Sequence, residues 1–342
     1  MQQTNDQYAQ LIRGMLACGV LVCTLADAQV FSALPTPART IALWSPAQLQ
    51  RDWGSDIPMP VEQVSNKGAV TQVGNPRMML YVPTSGSQNR HTAIIVLSGG
   101  GYASEQLGKE GTPAAQWLAE QGFSVFNTIY RLPAEGWTHK TVAWADAQQA
   151  VRLARSLATT YGYQRVGVMG FSAGGHIAGM IATHSQIDDR HSSIGRMNDQ
   201  RDTAQSLSTR PDFVVMLYPI VSMLPPDNRS HSYKVLLSNW QTTQPNHNTK
   251  PITLHQTQAA YSVETAVTPS TPPMFIAHAI DDPIAPVAKS QTLYCKLQQA
   301  GVPSTLQLYA SGGHGWGMGK ANTPTQGWQQ AFLDWFEALP KQ

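Results

Sequence analysis

Residues Gly170-Phe171-Ser172-Ala173-Gly174 have the spacing G-x-S-x-G. They stand where a short apolar run, Val166-Gly167-Val168-Met169, gives way to a small-residue helix pattern. A serine nucleophile needs such a place. It must stand exposed on a tight strand-to-helix turn, and glycines two residues to either side let the backbone pack that closely. A serine hydroxyl also needs a base to take its proton and a carboxylate to hold that base in the right tautomer. His314 is the candidate base, in the loop Ser311-Gly312-Gly313-His314-Gly315-Trp316-Gly317. The candidate carboxylates are Asp281 and Asp282, within His278-Ala279-Ile280-Asp281-Asp282-Pro283-Ile284-Ala285-Pro286. Asp282 is preferred, which leaves Asp281 to form the turn. The anion formed on attack needs N–H donors. The backbone N–H of Ala173 is one candidate. Gly100 and Gly101, in Ser98-Gly99-Gly100-Gly101-Tyr102, supply the other, because glycines let amides face an anion with no Cβ in the way.

The chain order of these groups, Ser172, Asp282, His314, is the nucleophile-acid-base order of α/β-hydrolases. Other chemistries fit less well. A phosphate-gripping loop at 98–102 lacks both the Gly-Lys-Ser/Thr ending and the G-x-G-x-x-G spacing. His184, Asp188, Asp189 and His191 match no standard metal spacing and read as a solvated loop. His176, one helical turn beyond Ser172, reads as a packing or hydrogen-bonding residue. His278 ends a strand and reads as shaping the turn that holds the acid.

Each candidate falls at the C-terminal end of a predicted strand, where open parallel sheets build their sites. Strands are expected at Met78–Val82, Ala93–Leu97, Phe123–Tyr130, Val166–Phe171, Phe213–Tyr218, Met274–Ala279 and Thr305–Tyr309. Helices are expected from Thr112, as N-cap, to Gly122, and over Val142–Tyr161 with Gly162 as C-cap. Further helices are expected over Ala173–Thr183, Val287–Ala300 and Thr325–Leu339. Alternating strands and helices, with strands apolar throughout, predict a mostly parallel central sheet covered by helices on both faces. Residues 29–75 read as irregular, with Ile41-Ala42-Leu43-Trp44 as an anchor. Two polar stretches, 184–211 and 225–271, interrupt the pattern as insertions. The second is placed where a cap over the site could form.

The 342 residues carry a net charge of +2 without a Lys/Arg block, which argues against a nucleic-acid partner. An apolar fraction of 42% suffices for a core. Arg13, the apolar run Met15–Leu25 and Ala26-Asp27-Ala28 together read as a secretory signal over residues 1–28. The remainder, 29–342, is then a single exported domain, periplasmic or secreted. A first core helix is the competing reading of 1–28, and a lipid anchor at Cys18 or Cys23 fits poorly. No segment is long and apolar enough to cross a membrane, so no stable membrane association is expected. Cleavage after Ala28 would leave Cys295 alone, which excludes an internal disulfide and a zinc-cysteine site.

From about Ile41 to the C-terminus the chain resembles bacterial α/β-hydrolases of the acetyl xylan esterase and feruloyl esterase type. The resemblance is carried by Ser98–Tyr102, Glu110-Gly111, Trp117-Leu118, Tyr130-Arg131-Leu132-Pro133 and Asp146–Arg152. It continues through Gly170–His176, Arg210–Phe213, Tyr218-Pro219, His278–Pro286 and Gly312–Gly315. It implies a triad of Ser172, Asp282 and His314, and an oxyanion hole at Gly100, Gly101 and Ala173. Tyr102 and Trp316 would lie beside the site and line an acyl or sugar pocket. The expected reaction is hydrolysis of a carboxylic ester through an acyl-enzyme, without a cofactor. The expected substrate is an acylated polysaccharide such as xylan, or a small ester. A serine peptidase of the same fold and a binding protein on a hydrolase fold are the rival readings.

Overall fold

The computed structural model describes residues 35–53, 58–137, 139–184, 207–226, 229–237 and 253–340. The expected signal segment, 1–28, lies outside them, as do 185–206 and 238–252 of the two expected insertions.

The strands are β1 (Arg39–Ala42), β2 (Gln63–Val64), β3 (Val70–Thr71), β4 (Arg77–Tyr81), β5 (Thr92–Leu97), β6 (Ser124–Ile129), β7 (Arg165–Phe171), β8 (Val214–Leu217), β9 (Met274–Ala279) and β10 (Ser304–Tyr309). Eight of them form one sheet in the order β1-β4-β6-β5-β7-β8-β9-β10, and β2 pairs with β3 apart from it. The β1–β4 and β4–β6 pairs are antiparallel, and every other pair in the large sheet is parallel.

The helices are α1 (Pro46–Trp53), α2 (Thr112–Glu120), α3 (Val142–Ser156), α4 (Ala158–Tyr161), α5 (Ala173–Thr183), α6 (His231–Leu237), α7 (Leu254–Ala260), α8 (Val287–Gln299) and α9 (Trp328–Glu337). The period of two along a strand divides the apolar side chains between two cores. On β5, Ala93, Ile95 and Leu97 join the core packed by α3, α5 and α8. Ile94 and Val96 join the opposite core, packed by α2 and α9. The strands therefore read as unbroken apolar runs because both faces are covered.

Several elements differ from expectation. The Ile41–Trp44 anchor contains an edge strand, β1, registered against β4, before Leu43 and Trp44 turn into the core. Thr112 is the first residue of α2, not its cap. Gly111 caps it after a π-helical turn at Leu107–Gly111, and Thr112 Oγ1 instead accepts from Asn127 Nδ2 at 3.4 Å. The helix expected over Val142–Tyr161 breaks at Leu157, between α3 and α4, and ends on left-handed Gly162. Residues Pro324–Gly327 form a 3-10 turn ahead of α9. Within the second polar stretch, α7 starts with a capping box in which Thr253 and Gln256 satisfy each other's backbone amides.

Candidate active site

Strand β7 enters the turn at Ser172 and α5 leaves it at Ala173. Ser172 has φ 51° and ψ −113°, a strained backbone for a residue with a side chain. The flanking glycines permit it. A Cβ on Gly170 would lie 2.1 Å from Gly174 O, and one on Gly174 would lie 2.1 Å from Leu97 O. The Ser172 N–H donates to Leu217 O at 2.9 Å, which ties the turn to β8.

Three strand ends then bring their side chains together. Ser172 Oγ lies 2.8 Å from His314 Nε2, and His314 Nδ1 lies 2.7 Å from Asp282 Oδ2. A carboxylate accepts only, so Nδ1 carries the proton and Nε2 is free to accept from the serine. Asp282 is surrounded by donors. Its Oδ1 accepts from Ile284 N at 2.8 Å and Ala285 N at 2.9 Å. Its Oδ2 also meets His278 Nε2 at 3.1 Å. Burial opposes ionisation of Asp282, but the hydrogen bonds from His278 and His314 outweigh it and hold the carboxyl well below its usual range. Asp281 turns away to the His314 loop, accepting from Gly313 N at 2.8 Å and Gly312 N at 3.3 Å. Those bonds lower its ionisation range too.

Gly100 (φ 132°) and Gly101 (φ 66°) turn the loop after β5 through conformations closed to most side chains. Ala173 opens α5, where helix geometry leaves its N–H without an intrahelical acceptor. Gly99 sits hard against Ser172. A Cβ there would lie 2.9 Å from Ser172 Cβ. Its own N–H is taken by Glu110 Oε2, at 2.6 Å.

Two expected pocket residues are core residues instead. Tyr102 is fully buried. Its hydroxyl donates to His176 Nδ1 at 2.6 Å and accepts from Trp144 Nε1 at 3.0 Å. The left-handed backbone at Tyr102 (φ 66°) turns the ring inward, beneath the loop. Trp316 is 4% exposed and packs edge-on against Tyr218, with ring centroids 4.5 Å apart. His176, also buried, donates from Nε2 to Tyr261 O at 2.8 Å, and burial lowers its pKa to about 4.

Two participants escaped the sequence reading. Glu110 is buried in the turn before α2, and Tyr218 follows β8. Their only sequence signal is their place in the motifs Glu110-Gly111 and Tyr218-Pro219. A shallow, open cleft lies near the Ser172 turn, lined by residues including Ile220, Val221, Ser230, Ile284, Pro286 and Lys289. It meets the Ser172 turn through Ile220, whose N–H donates to Ser172 O at 3.2 Å. Of the four residues in the rejected metal reading, Asp188, Asp189 and His191 lie outside the described residues. Among the described residues, no three His, Cys, Asp or Glu side chains group as a metal site.

The BD-FAE family model matches residues 78–297, which span β4 to most of α8. The chain belongs to the BD-FAE family. Relatives of this BD-FAE chain include an acetylxylan esterase of Xylanibacter ruminicola, 30% identical over 271 residues, covering 78% of this chain and 49% of that protein. Endo-1,4-beta-xylanase B of Butyrivibrio fibrisolvens is 27% identical over 232 residues, 66% of this chain and 32% of that protein. The chain thus spans half or less of the length of the curated relatives it matches. Among solved structures, the acetyl ester-xyloside bifunctional hydrolase of Caldicellulosiruptor lactoaceticus aligns with a TM-score of 0.66 at 28% identity, covering 90% of this chain and 98% of that one. The eight-stranded, mostly parallel sheet is that of the α/β-hydrolase esterases.

Proposed function

We propose that this protein hydrolyses carboxylic esters through an acyl-enzyme and removes acetyl groups from xylan. The observation that carries the reading is the continuous relay from Ser172 Oγ to His314 to Asp282, at 2.8 and 2.7 Å, on a strained strand-to-helix turn. Ser172 Oγ attacks the ester carbonyl carbon as His314 Nε2 takes its proton. The N–H groups of Gly100, Gly101 and Ala173 receive the oxyanion. The C–O bond to the sugar then breaks, and the sugar oxygen takes the proton from His314. Water, losing its proton to the same imidazole, releases acetate and restores Ser172.

Two relatives support acetate as the acyl group, one named an acetylxylan esterase and one an acetyl ester-xyloside hydrolase. Residues 1–28 direct the protein to export. The test is acid release from acetylated xylan and from p-nitrophenyl acetate, with Ser172→Ala alongside. Acetate released from both by the parent and by neither in Ser172→Ala is the expected result. Ser172-dependent cleavage of the aryl ester alone would overturn the xylan assignment. Activity that survives Ser172→Ala would overturn the mechanism.

A further inference from the structure

Glu110 lies in the π-helical turn Leu107–Gly111, which abuts both loops that frame Ser172. Toward the loop after β5, its Oε2 accepts the Gly99 N–H at 2.6 Å. Gly99 is the residue pressed between Ser172 and this carboxyl. A Cβ there would lie 2.9 Å from Ser172 Cβ and 3.0 Å from Glu110 Oε2. Toward the loop after β10, its Oε1 lies 2.9 Å from the Tyr218 hydroxyl. That hydroxyl lies 3.0 Å from Gly317 N, three residues beyond His314. The same loop also rests on Lys109, since a Cβ on Gly317 (φ 52°) would lie 2.7 Å from Lys109 O.

The direction of each hydrogen bond follows from the partners. Gly317 N–H only donates, so Tyr218 Oη accepts from it and must turn its own proton toward Glu110. Both carboxyl oxygens of Glu110 are therefore acceptors. That is the pattern of an ionised carboxylate, although burial pushes Glu110 upward against the hydrogen bonds from Gly99 and Tyr218. The Tyr218 ring stands edge-on to the His314 imidazole, with centroids 5.1 Å apart. A buried anion is thus linked to the base loop through one hydroxyl and to the Gly99–Gly101 loop through one amide.

We propose that Glu110 is a positioning residue: it registers the oxyanion loop against the His314 loop through the path Gly99–Glu110–Tyr218–Gly317. The inference rests on the ester-hydrolase reading above. Its function is to fix where the oxyanion donors and the imidazole stand relative to Ser172 before substrate arrives. Gln at 110 cannot restore the pattern. An amide that accepts from Gly99 presents NH2 to Tyr218, whose own proton then has no acceptor.

The experiment is steady-state hydrolysis of p-nitrophenyl acetate by the full chain, its Ser172 dependence established first, for Glu110→Gln, Tyr218→Phe and the double variant. Tyr218→Phe removes a single oxygen, and so tests the path even where Glu110→Gln fails to fold. Glu110→Gln should lower kcat by about 10²-fold, the scale of an ångström-sized misplacement, with KM within threefold. Tyr218→Phe should lower kcat in the same sense. Because both act through one path, the double variant should fall no further than the lower single. A kcat within threefold of parent in either single variant, or effects that multiply in the double, would overturn the inference. Failure of the ester-hydrolase reading has a different signature, activity that survives Ser172→Ala.

Discussion

Replacing Asp282 with Asn changes one oxygen to NH2, and the site has no place for that group. The Oδ1 position faces two backbone amides, Ile284 N at 2.8 Å and Ala285 N at 2.9 Å, which cannot change roles. The Oδ2 position faces His314 Nδ1 at 2.7 Å and His278 Nε2 at 3.1 Å. His278 Nε2 also lies 2.9 Å from Ala285 O, an acceptor, and so is held as a donor. Only His314 can yield. The introduced side-chain amide therefore turns its NH2 to the Oδ2 position and donates to His314 Nδ1. The proton then moves to Nε2, where it faces Ser172 Oγ and blocks its deprotonation. A wrong-tautomer histidine in such a relay costs ~10⁴ in kcat, about 5.5 kcal/mol of barrier. KM changes little, since the shape of the site is kept. Asp281→Asn serves as the control. Its oxygens accept from Gly312 N and Gly313 N, and Asn keeps one of those bonds, so kcat should stay within about tenfold. The assay is p-nitrophenyl acetate hydrolysis, with kcat and KM measured separately and folding checked by near-UV circular dichroism. An Asp282→Asn variant within tenfold of parent, or an Asp281→Asn variant that falls further, would refute the assignment of the acid.

Asp146→Ala should destabilise the fold by at least about 3–5 kcal/mol in urea titration, the range for breaking a buried ion pair. Asp146 accepts from Arg131 N, Nε and Nη2 and from Trp44 Nε1, and neither Arg131 nor Asp146 is exposed. A loss below about 1 kcal/mol, the scale of a surface pair, would show that the network is dispensable. His176 is held neutral by burial, with its pKa lowered from 6.5 to about 4. The unfolded chain then binds this proton first, so the parent should lose stability relative to His176→Gln as pH falls from about 6.5 to 4, by about 3 kcal/mol. Burial of Glu105 and Glu110 acts in the opposite sense in both proteins and cancels from the comparison. Parallel stability curves would contradict the neutral assignment. Gly170→Ala drives a Cβ to 2.1 Å from Gly174 O, so the Ser172 turn must open, and kcat should drop by about 10²-fold or more in protein that still unfolds cooperatively. A kcat within threefold of parent would mean that the turn has slack.

The elements around Ser172 were legible in the sequence because their demands are local. A glycine either side of a serine, between an apolar run and a small-residue helix, has few other uses. The helix Ala173–Thr183 and the strand Met274–Ala279 fall at the residues their patterns indicate. What the sequence hides is direction. Tyr102 and Trp316 sit in glycine-rich loops beside the site, and nothing in their spacing says that both rings turn into the core. Tyr102 does so because its backbone is left-handed, which a non-glycine type does not announce. Glu110 looks like a surface carboxylate between Lys109 and Gly111. Its burial follows from a π-helical turn that no periodicity signals. Strand β1 is four residues long and mostly exposed at the sheet edge, so it lacks the alternation by which a strand is read.

Asp282 and Glu110 solve one physical problem in the same way. Each is a carboxylate beneath the loops that frame Ser172, and each is met by donors alone. Asp282 faces two amides and two imidazoles. Glu110 faces one amide and a tyrosine whose proton has no other direction. A charge in such surroundings is favourable only while every donor keeps its place, because a displaced donor leaves both itself and the carboxylate unsatisfied in a buried setting. The cost of motion is thereby concentrated on the loops after β5, β9 and β10, which present the Gly100 and Gly101 amides, Asp282 and His314.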